Sequence, residues 1–427
     1  MKRTAIQTNY YFRLIFAAAL IAILSSFLAY SLKFATEYFQ HTIFHFIKNK
    51  HYILFILIPS VGITAIYFLR KYVFANRRNK GITEIYKTLD LRKEHLPWFK
   101  VPSHYINGFL TVIFGGSTGI EVSTVVASAT IGNGIYKWQF SAKMYKRELV
   151  CAGVCAGVAI LFNSPIAGWL FAVEVIARRL NKTIIISCTA AALVAWGLLN
   201  ILHSEPIIPV SATGWKWNAI PFMVILALLG GLMSIYFTFL VTRLKQFFSG
   251  INNNFIRVNL GALSVGTMLF IFPVLYGDSY HGLQELATNP QTYAILPLLA
   301  LAFIKPLAAA LTLSAGGDGG VFAPSIVAGG FLGLAFALFC NTYLGTELIP
   351  LNFMLVGAAA MLSASIYAPL TALFLICNLI PNGFILAVPI LTGSFTANYF
   401  SKWIFPYNVY TYQMPPSLPQ DNQSLPS

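Results

Sequence analysis

The stretch Gly119-Ile-Glu-Val-Ser-Thr-Val-Val-Ala-Ser-Ala-Thr-Ile-Gly132 sets one acid, Glu121, at the head of a run that is otherwise apolar or small. A carboxylate at bilayer depth costs roughly 2.5–3.5 kcal/mol on insertion scales, so it marks a functional site by default. Just before it, Gly115-Gly-Ser-Thr-Gly119 interrupts the apolar run that begins at Val101. Such a break strands backbone N–H and C=O groups, which is tolerated at membrane depth only where protein or a water-filled cavity satisfies them. The spacing predicts a discontinuous helix with Glu121 in its first turn.

The surroundings fix the class. Of 427 residues, 57% are hydrophobic and 10% are charged, and runs long enough to span a bilayer recur along almost the whole chain. This excludes a soluble domain. The net charge of +15 does not point to nucleic acid, because the basic residues sit in short connections between apolar runs, where they set topology. The five cysteines lie inside apolar segments without metal-site spacing, so they read as packing residues, and no metal or cofactor is expected.

Taken in order, Met1-Lys2-Arg3 precedes an apolar run from about Leu14 to Leu32 that reads as a retained first helix. Tyr52 to Leu69 is a second span, ending in Arg70-Lys71 and Arg77-Arg78-Asn79-Lys80, which places the N-terminus and this loop in the cytoplasm. Two apolar segments join at Asn163-Ser164-Pro165 and end in Arg178-Arg179-Leu180-Asn181-Lys182, where Glu174 and Arg178 have the spacing of a helical ion pair. A polar connection, His203 to Ala219, marks the midpoint, and Tyr276 to Pro290, with Asp278, His281 and Glu285, reads as an external excursion. The chain divides into a cytoplasmic segment (1–12), a first transmembrane repeat (13–205), a second (206–412) and a disordered tail (413–427).

The division rests on an internal repeat. Gly119 to Gly132 aligns with Gly320-Val-Phe-Ala-Pro-Ser-Ile-Val-Ala-Gly-Gly-Phe-Leu-Gly333, with Glu121 opposite Phe322, and Asn163-Ser-Pro aligns with Tyr367-Ala-Pro at nearly the same spacing. Interrupted hydrophobic segments at matching places in two halves point to a transport site near the bilayer midplane. If one half is inverted, both broken-helix N-termini face one spot, and their positive ends favour an anion there.

These residues resemble the CLC family of chloride channels and chloride/proton antiporters over nearly the whole chain. Gly319-Gly320-Val321-Phe322-Ala323-Pro324 is similar to the family's Gly-Gly-Ile/Val-Phe-Ala-Pro signature, and Glu121 falls on its gating glutamate. Gly153 to Glu174 resembles its Gly-rich helix pair, and Asn408-Val-Tyr-Thr411 its Ser-Ile-Tyr-Thr element. The resemblance implies an anion site formed by Lys80, Gly81, Ile120, Glu121, Val122, Gly320, Val321, Phe322, Ala323 and Tyr410, with Glu121 as gate. It also implies a homodimer with one pathway per subunit. Three departures stand out. Glu121 is followed by Val122-Ser123 in place of Gly-Pro and lacks a basic residue before it; Lys80 stands where the inner loop has a serine; and the internal proton-relay acid of many antiporters falls on Val175.

The sequence therefore predicts an all-α polytopic membrane protein of two inverted repeats whose discontinuous helices meet at a central anion site. It would sit in a bacterial inner membrane with both termini in the cytoplasm. Its expected partners are chloride or a similar small anion, protons and the lipid bilayer, and no nucleic acid. Because valine carries no proton, the reading leans to passive, channel-like conduction; proton-coupled antiport of chloride or fluoride is the alternative. A membrane-embedded lipid-modifying enzyme would need a polar catalytic cluster, for which Asp278, His281 and Glu285 are the nearest candidates.

Overall fold

The computed structural model of the protein describes residues 2–74, 77, 79–91, 95–138, 145–202, 206–290 and 294–412. The tail from 413 onward, expected to be disordered, lies outside them, as does His203. The first half contains α1 (Lys2–Lys50), α2 (Leu54–Phe68), α3 (Ile82–Asp90), α4 (Lys100–Ile113), α5 (Glu121–Trp138), α6 (Lys146–Leu161), α7 (Pro165–Phe171) and α8 (Lys182–Leu202). The second contains α9 (Ile220–Ser249), α10 (Asn254–Ile271), α11 (Tyr280–Thr288), α12 (Ile295–Ala315), α13 (Phe322–Tyr343), α14 (Pro350–Ile366), α15 (Pro369–Cys377) and α16 (Ala387–Ile404). Among the described residues, eight helical segments are long and apolar enough to cross a membrane. The first helix is much longer than the Leu14 to Leu32 run, because polar residues such as Thr36 and Gln40 are buried against the rest of the protein and extend it.

Two breaks in each half create hairpins that enter the membrane and return. Arg147 Nη1 donates to Ala177 O at 2.8 Å, its Nη2 to Leu89 O at 3.1 Å, and Lys146 Nζ to Thr88 O at 2.6 Å. The end of α3, the start of α6 and the turn after α7 thus share one face, here called the basic face. The second half returns to the opposite, far face, where Ile208 N–H donates to Leu379 O at 2.8 Å and Asn352 Nδ2 to Gly214 O at 2.8 Å. The two halves are inverted.

The breaks are made alike. α4 and α12 each end on a left-handed glycine, Gly115 (φ +82°) and Gly316 (φ +114°), and the next N–H folds back five residues, Gly116 to Thr111 O at 2.7 Å and Gly317 to Thr312 O at 2.9 Å. Only glycine takes that φ without a Cβ penalty, and the closure satisfies carbonyls a helix end would leave bare. The second pair of breaks repeats the device with Asn163 and Tyr367, each left-handed and each followed two residues later by a proline at the first helical position. Close backbone packing then holds α13 on α14: a Cβ on Gly357 would lie 2.3 Å from Gly329 O. With lipid outside, such small-residue contacts are what let helices gain by packing.

Candidate functional site

The two Gly-rich breaks cross at the centre, where Gly119 and Gly320 form an isolated antiparallel bridge. Around it the halves exchange hydrogen bonds reciprocally. Ser117 N–H donates to Thr312 Oγ1 at 3.1 Å, and Asp318 N–H donates to Thr111 Oγ1 at 2.9 Å. Thr111 and Ser117 stand as far from Thr312 and Asp318 as Gly119 does from Gly320, so each half ties down the other's broken backbone through the same pair of positions. The helices that start here, α5 at Glu121 and α13 at Phe322, offer their first N–H groups and positive ends to the crossing.

Glu121 is 3% exposed, and its carboxylate folds back over Gly119 so closely that a Cβ there would lie 2.0 Å from Oε2. Oε1 accepts from Tyr280 Oη at 3.1 Å, whereas Oε2 has no hydrogen-bond partner within the protein. The missing basic residue beside this acid comes from elsewhere in the chain. Lys305, on α12 and fully buried, donates to Ser117 Oγ at 2.8 Å, Ser279 Oγ at 2.8 Å and Gly277 O at 3.0 Å, and its charge acts on both Asp278 and Glu121. Asp278 Oδ1 in turn accepts from Gln40 Nε2 and from Tyr280 N–H, both at 3.1 Å. The segment expected to be an external excursion is therefore folded inward over Glu121, and α11 is its lid-like cap. Glu285 stays exposed, so the three candidates for a catalytic cluster do not converge.

Below the crossing, toward the basic face, a cavity of about 330 Å³ is lined by Lys80, Gly81, Val122, Gly320, Val321 and Tyr410, among others. Six of the ten residues expected at the anion site thus share one space. Tyr410 Oη is buried without a hydrogen-bond partner and so is available to an ion. Ile120 is partly buried, Ala323 is fully buried, and Phe322, also fully buried, packs edge-on against Phe171 with centroids 5.3 Å apart. Lys80 keeps its side chain exposed while its backbone N–H donates to Glu84 Oε1. Arg70, Lys245 and Arg257 line the same cavity, making its mouth strongly basic.

Val175 is 3% exposed and is not among the cavity's lining residues. The expected ion pair of Glu174 with Arg178 does not form. Residues Ala172–Ala177 make a π-helical turn, which ends the four-residue register, and Arg178 is left-handed with its guanidinium 3.7 Å from the centroid of Tyr86. Glu174 reaches instead to the start of α15, accepting from Thr371 N–H at 2.9 Å and Thr371 Oγ1 at 2.7 Å. Sequence reasoning also missed Lys305, His104, Asp318 and Tyr280. The repeat register carried the signal, since it sets Lys305 opposite His104 and Tyr280 opposite Asn79.

Comparison with known proteins agrees with this architecture. The chain is 27% identical over 342 residues to the H(+)/Cl(-) exchange transporter ClcA of Citrobacter koseri, covering 78% of this chain and 71% of the relative. It is 23% identical over 399 residues to ClcA of Vibrio parahaemolyticus, covering 89% and 85%. Among solved structures, a slow cyanobacterial Cl-/H+ antiporter superposes with a TM-score of 0.80 at 21% identity, covering 93% of this chain and 96% of that one. A CLC-type fluoride/proton antiporter superposes with a TM-score of 0.79, also at 21% identity, with the same coverage. The overall fold is thus shared with these structures, and since the voltage-gated chloride channel family matches residues 61–402, this chain belongs to that family.

Proposed function

We propose that the protein exchanges a small anion, chloride or fluoride, for protons across a bacterial inner membrane, with its basic face and both termini in the cytoplasm. The carrying observation is the placement of Glu121, a buried carboxylate at the start of α5, on the Gly119–Gly320 crossing with one oxygen unpaired. An anionic carboxylate there occupies the spot toward which both helix N-termini point, and so competes with a transported anion for the same donors. Protonation removes that competition and lets the anion in, which couples the two substrates. The first amides of α5 and α13, from Ile120 to Val122 and from Gly320 to Ala323, and the hydroxyl of Tyr410 would replace part of the ion's hydration shell. Lys80 with the other cations of the inner mouth raises local anion concentration. The subunit works as half of a homodimer, each with its own pathway. The relatives' names, exchangers and antiporters alike, support coupling over the passive conduction that Val175 suggests.

Purified protein in liposomes, given outward chloride or fluoride gradients in separate arms, is expected to take up protons against their gradient. Glu121→Gln is expected to stop proton uptake while leaving anion movement that no longer depends on pH. Anion flux with no proton movement in the wild type would return the reading to passive conduction, and no flux of either anion would end it.

A further inference from the structure

Lys305 has a counterpart on the other side of the crossing, and that side carries an acid of its own, set at the position equivalent to Ser117 and not to Glu121. At the position equivalent to Lys305 stands His104 on α4, fully buried, with Nδ1 3.1 Å from Asp318 Oδ2. Asp318 is 5% exposed and lines the inner cavity. Asn79, equivalent to Tyr280, donates through Nδ2 to Asp318 Oδ2 at 2.6 Å. Each side of the crossing therefore holds one acid, one buried base and one polar residue, which opens the short helix α11 on one side and precedes the short helix α3 on the other. On the far side these are Glu121, Lys305 and Tyr280; on the basic side, Asp318, His104 and Asn79.

We propose that Asp318 and His104 form a proton-binding site that loads and unloads Glu121 from the cytoplasmic cavity, the role that a valine at position 175 leaves vacant. The inference rests on the antiport reading. Three observations carry it beyond symmetry. First, the acid lines the water-accessible cavity while the base behind it is sealed from solvent, so the pair can take a proton from the cavity and hold it. Second, unpaired polar atoms lead from this pair toward Glu121. Thr118 Oγ1, which makes no hydrogen bond within the protein, sits where a Cβ on Gly319, the residue after Asp318, would be 2.3 Å away. Three residues on from Thr118 is Glu121, whose Oε2 is also unpaired. Third, Glu174, the acid nearest Val175 in sequence, is held as a cap on α15 by Thr371 and is not among the residues that line the inner cavity.

The charged groups around the pair suit a site that changes charge. Arg70 donates to Gly316 O at 2.7 Å, two residues from Asp318, and its charge acts on that carboxylate. Lys100 is neutralised by Glu84 at 2.8 Å and touches Asn79 Oδ1 at 3.3 Å. Lys80, Lys245, Arg257 and Tyr410 line the remainder of the cavity. In the step itself, hydronium in the cavity gives a proton to the Asp318–His104 pair and becomes water. The pair then passes that proton to the Glu121 carboxylate and returns to its starting charge, with no other reactant needed.

The test is simultaneous recording of anion efflux, by electrode, and proton uptake, by a pH dye, in liposomes carrying the full chain. Asp318→Asn and His104→Gln are each expected to lower protons moved per anion at least tenfold, Asp318→Glu to restore most of the ratio, and Glu174→Gln to leave it within twofold of wild type. Monodisperse elution in detergent qualifies each variant, and His104→Gln stands in if Asp318→Asn fails to fold. An unchanged ratio in both Asp318→Asn and His104→Gln, or its collapse in Glu174→Gln, overturns the inference while leaving antiport intact. A wild type that moves anion without protons instead removes antiport itself, and this inference with it.

Discussion

Lys305 and His104 occupy equivalent positions in the two halves, and each reaches across the crossing to the opposite half's break: Lys305 Nζ lies 2.8 Å from Ser117 Oγ, and His104 Nδ1 lies 3.1 Å from Asp318 Oδ2. Ser117 and Asp318 are themselves equivalent. The cation that neutralises the surroundings of Glu121 therefore comes from the half that does not contain Glu121.

Replacing Lys305 should accordingly damage both fold and transport. Lys305→Met removes the buried donor shared by Gly277 O and the Ser117 and Ser279 hydroxyls, and leaving a buried polar group unsatisfied costs about 1–3 kcal/mol. The expected result is a clearly lower thermal unfolding temperature in detergent and at least tenfold slower anion flux, with Lys305→Arg intermediate because a planar fork cannot meet Ser117, Ser279 and Gly277 as an ammonium does. Unchanged flux in Lys305→Met would show that Glu121 needs no counter-charge.

Tyr280 should act as a restraint on Glu121. Its hydroxyl supplies the hydrogen bond to Oε1, and a bond to a charged group is worth about 1.5–3 kcal/mol. Tyr280→Phe is expected to free the carboxylate and change anion flux at neutral pH about tenfold. The same substitution in a Glu121→Gln background should do much less. Equal effects in both backgrounds would place Tyr280 outside the gating equilibrium.

Gly119 is predicted to be a steric requirement of the closed carboxylate. A Cβ there would overlap both carboxylate oxygens, at 2.0 and 2.4 Å, so Gly119→Ala must expel the side chain from its position over the crossing. The expected outcome is faster anion leak with fewer protons carried per anion, read in the same liposome recording. A silent alanine would mean the carboxylate rests elsewhere in the working cycle.

The packing of α13 against α14 offers a prediction about stability alone. Gly357→Ala forces a Cβ to within 2.3 Å of Gly329 O, a backbone atom that cannot step aside, and overpacking of this kind typically costs about 1–3 kcal/mol. Thermal unfolding should occur several degrees lower, whereas alanine at Gly197, where nothing lies within 4 Å, should be neutral or better.

The helical class, the two-fold repeat and the place of Glu121 were legible in the sequence because each leaves a local mark: apolar length, glycine before a helix start, a charge in an apolar run. The inward folding of Asp278 and Tyr280 was not, since polar residues in a short segment read alike whether they face water or cap a buried acid. Lys305 is a lone lysine at the middle of α12, and only the tertiary fold shows it surrounded by Ser117, Ser279 and Gly277. The Glu174–Arg178 pair failed for a different reason: a π-helical turn changed the register that the spacing assumed.

The reciprocal bonds between Thr111 and Asp318 and between Ser117 and Thr312 mean that neither half of this chain owns a finished passage. Each half carries a snapped helix that folds back on itself and is then tied down by its upside-down sibling. Cut within the 206–219 connection, the two pieces should be inert apart and regain flux when made together, so the unit that conducts is the embrace of two opposed copies and the linker between them is a convenience.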